Sequence, residues 1–107
     1  MNKGFIVGRI CNDLEKRVTS NGKYVVEVCI AVNNSKDNTT FLRVNIFGTM
    51  ADTTHRYCKK GDLVGIEYSV YNNNYEDKNG VKRYEYRFVG NTIKFLANAP
   101  KQVFGMI

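Results

Sequence analysis

Tryptophan is absent from this sequence, histidine and proline occur once each, and only three of the 107 residues are cysteine. Cys11, Cys29 and Cys58 are odd in number, far apart and in no CxxC pairing, which argues against a disulfide framework and a zinc site. They read as reduced structural thiols. His55 has no carboxylate or cysteine at ligand spacing, so it reads as a surface or helix-packing residue rather than a catalyst or a metal ligand. No stretch approaches the ~18 apolar residues of a membrane span, and the N-terminus carries neither an apolar signal core nor a cleavage site. A soluble protein of the cell interior, with no membrane partner, is therefore expected. A P-loop, a paired-carboxylate motif, a Cys-His couple and a metal-ligand cluster are also missing, which points away from an enzyme and from any cofactor. With no internal repeat, low-complexity block or linker, the chain is expected to form one domain over residues 1–97, followed by a tail at 98–107.

What is present is ordinary globular composition with a basic balance. Hydrophobic residues make up 43% and charged residues 24%, while sixteen Lys and Arg against ten Asp and Glu leave a net charge of +6. That balance favours a polyanionic partner.

The most informative stretch is Thr40-Phe41-Leu42-Arg43-Val44-Asn45-Ile46-Phe47-Gly48. In a strand, successive side chains point to opposite faces, so Leu42, Val44 and Ile46 form one aliphatic row. The other row is Phe41, Arg43, Asn45 and Phe47. An unpaired guanidinium is costly to bury, so this second row is expected to face solvent or a ligand. Two rings flanking a cation and an amide suit an unpaired nucleic-acid strand, with bases on the rings and Arg43 on a phosphate or base edge. A half-exposed strand whose phenylalanines touch a neighbouring element fits the same stretch.

Around it the chain reads mostly as strands. Residues 3–10 form a first strand interrupted by Gly4 and Gly8, which mark a bend or close backbone approach, and Arg9 is a candidate for the groove that Arg43 faces. Lys16-Arg17-Val18-Thr19 extends the pairing up to Asn21-Gly22, a hairpin dipeptide suited to a type I′ turn. Residues 23–32 alternate as a second strand with Val26, Val28 and Ile30 in the core row. Residues 33–39 hold no apolar side chain and read as a mobile loop before the third strand. Met50, Ala51, Thr54, His55, Tyr57 and Cys58 have helical spacing, with Gly61 as the stop.

Residues 62–71 and 81–96 read as the fourth and fifth strands, the latter bent near Gly90. The hairpin between them, turned at Lys78-Asn79-Gly80, carries Tyr71, Tyr75, Tyr84 and Tyr86 beside Lys78, Lys82, Arg83 and Arg87. Aromatics interleaved with cations make a second candidate stacking surface, although a tyrosine-rich ribbon held by cross-strand pairs gives the same pattern. In the tail, Pro100, Val103, Phe104, Met106 and Ile107 are compatible with packing, docking or disorder.

Five strands with one helix between the third and fourth, and a hairpin projecting between the fourth and fifth, is the order of an all-β oligonucleotide-binding (OB) barrel. The sequence resembles the bacterial and phage single-stranded DNA-binding protein family. The resemblance lies in Phe5-Ile6-Val7-Gly8-Arg9-Ile10, Ile30-Ala31-Val32, Phe41-Leu42-Arg43-Val44-Asn45-Ile46-Phe47-Gly48, Tyr57-Cys58-Lys59-Lys60-Gly61 and Asn79-Gly80-Val81-Lys82-Arg83-Tyr84. It implies sequence-tolerant single-stranded DNA binding in replication, recombination or repair, in the cytoplasm of a bacterial or phage-infected cell.

The family's central stacking aromatic, often Trp, falls on Phe41, its stacking Phe on Phe47, its hairpin aromatic on Tyr75 and its intervening basic residue on Arg43. Arg9, Asn45, Tyr71, Lys82, Arg83, Tyr84 and Arg87 complete the candidate DNA-binding set. A further stacking Trp of some members would fall near Ser35 or Lys36, where this chain has no aromatic. The family also implies a homo-oligomer, a tetramer before a dimer. Typical cellular members end in an acidic tip that recruits other proteins; here no acidic residue follows Glu85, so the resemblance is to a short phage-like form and such recruitment is not expected. An RNA-binding or primosomal accessory OB protein, and a peptide-binding OB module, are the alternatives.

Overall fold

The computed structural model describes residues 1–99. The tail residues Pro100, Val103, Phe104, Met106 and Ile107 lie outside the described residues. The elements run β1 (Gly4–Ile10), β2 (Lys16–Val18), β3 (Tyr24–Ser35), β4 (Asn38–Phe47), α1 (Thr49–Tyr57), β5 (Leu63–Asn72), β6 (Tyr75–Glu76), β7 (Lys82–Arg83) and β8 (Tyr86–Ala97). Among the described residues no helix is long and apolar enough to cross a membrane.

Five of these strands close a barrel in the order β1-β5-β8-β4-β3, and β1 completes the circle by pairing with β3 as well as β5. Among the described residues all strand pairings are antiparallel except β4 with β8. This is the OB fold expected from the strand order, with α1 between the third and fourth barrel strands. β2 adds a short edge to β3, and among the described residues β6 and β7 pair only with each other.

The aliphatic rows meet inside. Val26, Val28, Ile30, Val44, Ile46 and Val64 are fully buried and cluster with Ile10, Ile66 and Ala51. Each buried Val or Ile contributes roughly 1.5–3 kcal/mol relative to exposure. Tyr68 meets Phe88 edge to face, ring centroids 5.5 Å apart, at one end of this core. Helix α1 presents Ala51 and Thr54 to the core and is tied to β2 by Lys16, whose Nζ lies 2.8 Å from Asp52.

Four sequence expectations need correcting. Residues 33–39 are not a mobile loop: β3 and β4 stay paired through Asn33↔Thr39 and Ser35↔Asn38, with a bulge between, because polar Asn and Thr side chains satisfy a solvent-exposed ladder as well as apolar ones do. Asn33 accepts from the Thr39 hydroxyl and Asn34 donates to Thr40 Oγ1, which zips the hairpin on its outer faces.

The Asn21-Gly22 turn is not type I′. Only Gly22 has positive φ, 83°, and its N–H donates to the Thr19 carbonyl, so the dipeptide fills the last two positions of the turn rather than the central two. The Asp77–Gly80 turn repeats this arrangement, with Gly80 at φ 78°. The fifth strand does not run unbroken from residue 81; it divides into β7 and β8 around Tyr84 and Glu85. Lastly, the second strand runs three residues past Val32, to Ser35.

The expected irregularities at Gly8 and Gly90 have concrete forms. Between Glu67↔Thr92 and Tyr68↔Gly90 the register slips, so Asn91 is an extra residue and β8 bends there. Gly8 lies where β1 passes from β5 to β3, and a methyl group on it would collide with the Ala31 carbonyl oxygen and the Ile30 side chain. Substituting Gly8→Ala should therefore destabilise the barrel by about 1–3 kcal/mol. Urea denaturation followed by circular dichroism checks this; an unchanged midpoint would show that β1 does not need the close approach.

Candidate nucleic-acid interface

The β3–β4 ladder places Phe41 beside Ala31, Arg43 beside Cys29, Asn45 beside Glu27 and Phe47 beside Val25, all on the outward face. Because Val44 and Ile46 are committed to the core, this row has no choice of direction. Phe41 is 63% exposed and the Arg43 side chain 70%. Asn45 and Phe47 are half-buried.

Two grooves run along this face. The first, about 850 Å³, has Phe41, Arg43, Asn45 and Cys29 on one side and Tyr86, Arg87 and Phe88 on the other. The second, about 500 Å³, lies between Phe47 and Tyr71. Arg87 lines both and joins them. Beyond the first groove, Tyr75, Lys82, Arg83 and Tyr84 line a third depression of about 230 Å³ on the β6–β7 ribbon. Glu85 lines the first groove and accepts a hydrogen bond from the Tyr75 hydroxyl at 3.2 Å, so the ribbon is continuous with the barrel face.

The candidate residues thus fall into one connected track, with one exception. Arg9 does not join it: its guanidinium donates to the carbonyls of Gly61 at 3.3 Å and Asn98 at 3.2 Å. Those contacts turn the guanidinium toward Gly61 and Asn98, so Arg9 lines none of the three grooves although the register sets it beside Ala31, the neighbour of Phe41. Glu27 and Glu85 line the track without having been singled out, and Tyr86, named with the hairpin tyrosines, lines the barrel groove itself. The alternation Tyr84-Glu85-Tyr86-Arg87 carried the clue for Tyr86, which is 70% exposed. Nothing in the sequence pattern distinguishes Glu27 from any other outward strand residue.

The electrostatics are those of a guarded cationic surface. Arg43 Nη1 lies 3.1 Å from Glu27 Oε1, an exposed pair of the kind worth about 0–1 kcal/mol. A phosphate can therefore replace the carboxylate at little cost. At the ribbon tip the Asp77 carboxylate accepts from the backbone N–H groups of Asn79 at 2.9 Å and Val81 at 3.0 Å and from Arg83 Nε at 3.0 Å.

A closed barrel presenting an open row of rings and guanidinium groups defines an oligonucleotide-binding protein of the OB class. The family model of the single-strand binding protein family matches residues 1–96. The chain is 31% identical to single-stranded DNA-binding protein B of Bacillus subtilis, an alignment covering 94% of this chain and 95% of that protein. It is also 31% identical to single-stranded DNA-binding protein 1 of Staphylococcus aureus, with 90% of this chain and 65% of that protein covered. A crystal structure of the mitochondrial single-stranded DNA binding protein of S. cerevisiae superposes with a TM-score of 0.75 at 26% identity, covering 91% of this chain and 96% of that one. The chain belongs to the single-strand binding protein family.

Asp77 supplies a test of how the ribbon is held. The Val81 amide first, then the Asn79 amide and Arg83, lower its pKa below the ordinary 3.8, against the opposing effect of partial desolvation. A depressed carboxylate stabilises the fold above its unfolded pKa and loses that contribution as pH falls through its folded value. The amide resonances of Asn79 and Val81 should accordingly move together on acidification, with a midpoint below that of an ordinary Asp carboxylate. A shared transition above the ordinary carboxylate range would contradict this.

Proposed function

We infer that this chain binds single-stranded DNA without regard to base sequence, protecting it and keeping it unpaired during replication, recombination or repair in the cytoplasm. One observation carries the inference: Phe41 and Arg43 stand open on a groove whose opposite wall is itself aromatic and cationic, Tyr86 and Arg87. Selectivity for single strands follows from stacking, since bases paired in a duplex have no free faces to offer Phe41, Phe47 and Tyr75. Arg43 and Arg87 meet phosphates or base edges along the grooves, Asn45 offers its amide between the rings, and Tyr71 extends the surface past Phe47. Lys82, Arg83 and Tyr84 continue it over the ribbon. The chain works by binding, with no catalytic step of its own.

The same function assigns a role to the other side of the barrel. Phe5, which is 74% exposed, lines an apolar depression of about 300 Å³ with Val7 and Leu96, across β1, β5 and β8. An apolar patch of this kind on a small barrel marks an interface. It suits a second copy of the chain, giving a homo-oligomer, with a tetramer ahead of a dimer. Such an assembly would set the binding faces outward for a strand to wrap.

Titration with oligo-dT tests the binding face. Phe41→Ala and Phe47→Ala should each weaken affinity by about 1–3 kcal/mol, roughly 5- to 150-fold. Arg43→Ala should reduce the magnitude of the logarithmic salt slope by about 0.7. Unchanged affinity in both phenylalanine variants would remove the stacking role, and tighter binding to oligo-U of the same length would redirect the function to RNA. For the apolar face, light scattering should give a multiple of the 12.2 kDa chain mass that falls on Phe5→Glu substitution. A monomeric wild type would contradict the interface.

A further inference from the structure

Two thiols face each other on the floor of the first groove. β1 and β3 pair Arg9 with Ala31 and Ile10 with Ile30, and Cys11, one residue past the end of β1, follows on beside Cys29. The Cys11 N–H donates to the Cys29 carbonyl at 2.9 Å, and the Cys11 thiol donates to the same oxygen at 3.3 Å. The Cys29 N–H donates to Asn12 Oδ1 at 2.9 Å instead of completing an exchanged pair, and facing residues of an antiparallel ladder have Cα atoms about 4.5–5.5 Å apart. A disulfide spans Cα separations of about 4.4–6.8 Å. Both residues line the groove beside Phe41 and Arg43, and Arg43 is also the cross-strand neighbour of Cys29 on β4. Cys11 is half-exposed and Cys29 is buried, so the pair has an outer and an inner member. Cys58 instead packs against the core.

We propose that Cys11 and Cys29 form a reversible dithiol–disulfide site in the floor of the groove, whose oxidant is a low-molecular-weight disulfide that reaches Cys11 first. The Cys11 thiolate attacks one sulfur of the oxidant, the oxidant's S–S bond breaks, and a small thiolate leaves and takes up a proton. Cys11 is left as a mixed disulfide. Cys29 then gives its proton to solvent and attacks the Cys11 sulfur, which expels the second small thiol. Two protein thiols are oxidised and one small disulfide is reduced to two thiols. Burial, then the hydrogen bond with Cys11, pushes the Cys29 thiol up to about 11, so the closing step is slow at neutral pH and accelerates as pH rises. A cross-strand bridge that closes slowly and stays accessible through Cys11 belongs with the transient, sensing disulfides of reducing compartments rather than the structural ones.

The dithiol rests on the contacts of Cys11 with Cys29 and on their shared place in the groove. Its coupling to function rests on the DNA-binding reading, because a strand lying in the groove covers Cys11. The full chain is incubated with oxidised glutathione at pH 8, denatured, alkylated and read by intact mass and peptide mapping, with and without saturating oligo-dT. Without DNA, two of the three thiols should be lost as a linked Cys11–Cys29 peptide, with Cys58 alkylated and all three recovered by dithiothreitol. Cys29→Ser should stop at a glutathione adduct on Cys11, and Cys11→Ser should block both steps. Three free thiols, or a wild-type Cys11 adduct that never closes even at pH 9, would overturn the dithiol. Oligo-dT should slow the first step in proportion to the fraction of protein bound. An unchanged rate in a sample where binding is measured overturns the coupling, whereas failure of oligo-dT to bind is a separate failure of the DNA-binding reading.

Discussion

Val44 and Ile46 sit in the second half of β4 with no solvent exposure, in one cluster with Val26, Val28, Ile30 and Ile66. A strand has only two faces, and a one-residue slip in register exchanges them. Slipping β4 would expose both aliphatic residues and carry Arg43 into the core, where an uncompensated charge costs several kcal/mol. The packing of two aliphatic residues therefore decides the direction of Phe41, Arg43, Asn45 and Phe47. The closing of the barrel through β1, which pairs with both β3 and β5, removes the free edges that would otherwise let β4 slide.

From that constraint the surface acquires its chemistry without much further construction. Arg43 is held over the groove by Glu27, an exposed partner weak enough to give way to a phosphate. The β6–β7 ribbon is only a two-stranded sheet, too small to be stable alone. It stands because Asp77 collects two backbone amides and Arg83 at its tip, and because the Tyr75–Glu85 hydrogen bond ties its base to the barrel. The candidate surface is thus divided between the closed barrel and a two-stranded ribbon held by side-chain hydrogen bonds.

Most of the fold was legible because the core rows alternate cleanly. Val26, Val28 and Ile30, and Leu42, Val44 and Ile46, announce strands whose inner faces need no tertiary information to identify. The outward row of β4 was legible for the complementary reason, since no core accommodates Phe-x-Arg-x-Asn-x-Phe. Less accessible were features decided by partners distant in sequence. Arg9 looks like any strand-end cation until the carbonyls of Gly61 and Asn98 close around it. Residues 33–39 look like a loop because local polarity does not reveal that two polar segments can pair across their own hairpin. Cys11 and Cys29 are eighteen positions apart, and only the closing of β1 on β3 brings the Cys11 N–H onto the Cys29 carbonyl.

The account depends on bases lying against the open face of β4, and aromatic resonances report that most directly. Adding oligo-dT to protein labelled at its phenylalanine rings should shift Phe41 and Phe47 upfield, through the ring currents of stacked bases, while Phe5 on the opposite face of the barrel stays in place. Shifts confined to Phe5, with Phe41 and Phe47 unmoved at saturation, would contradict it.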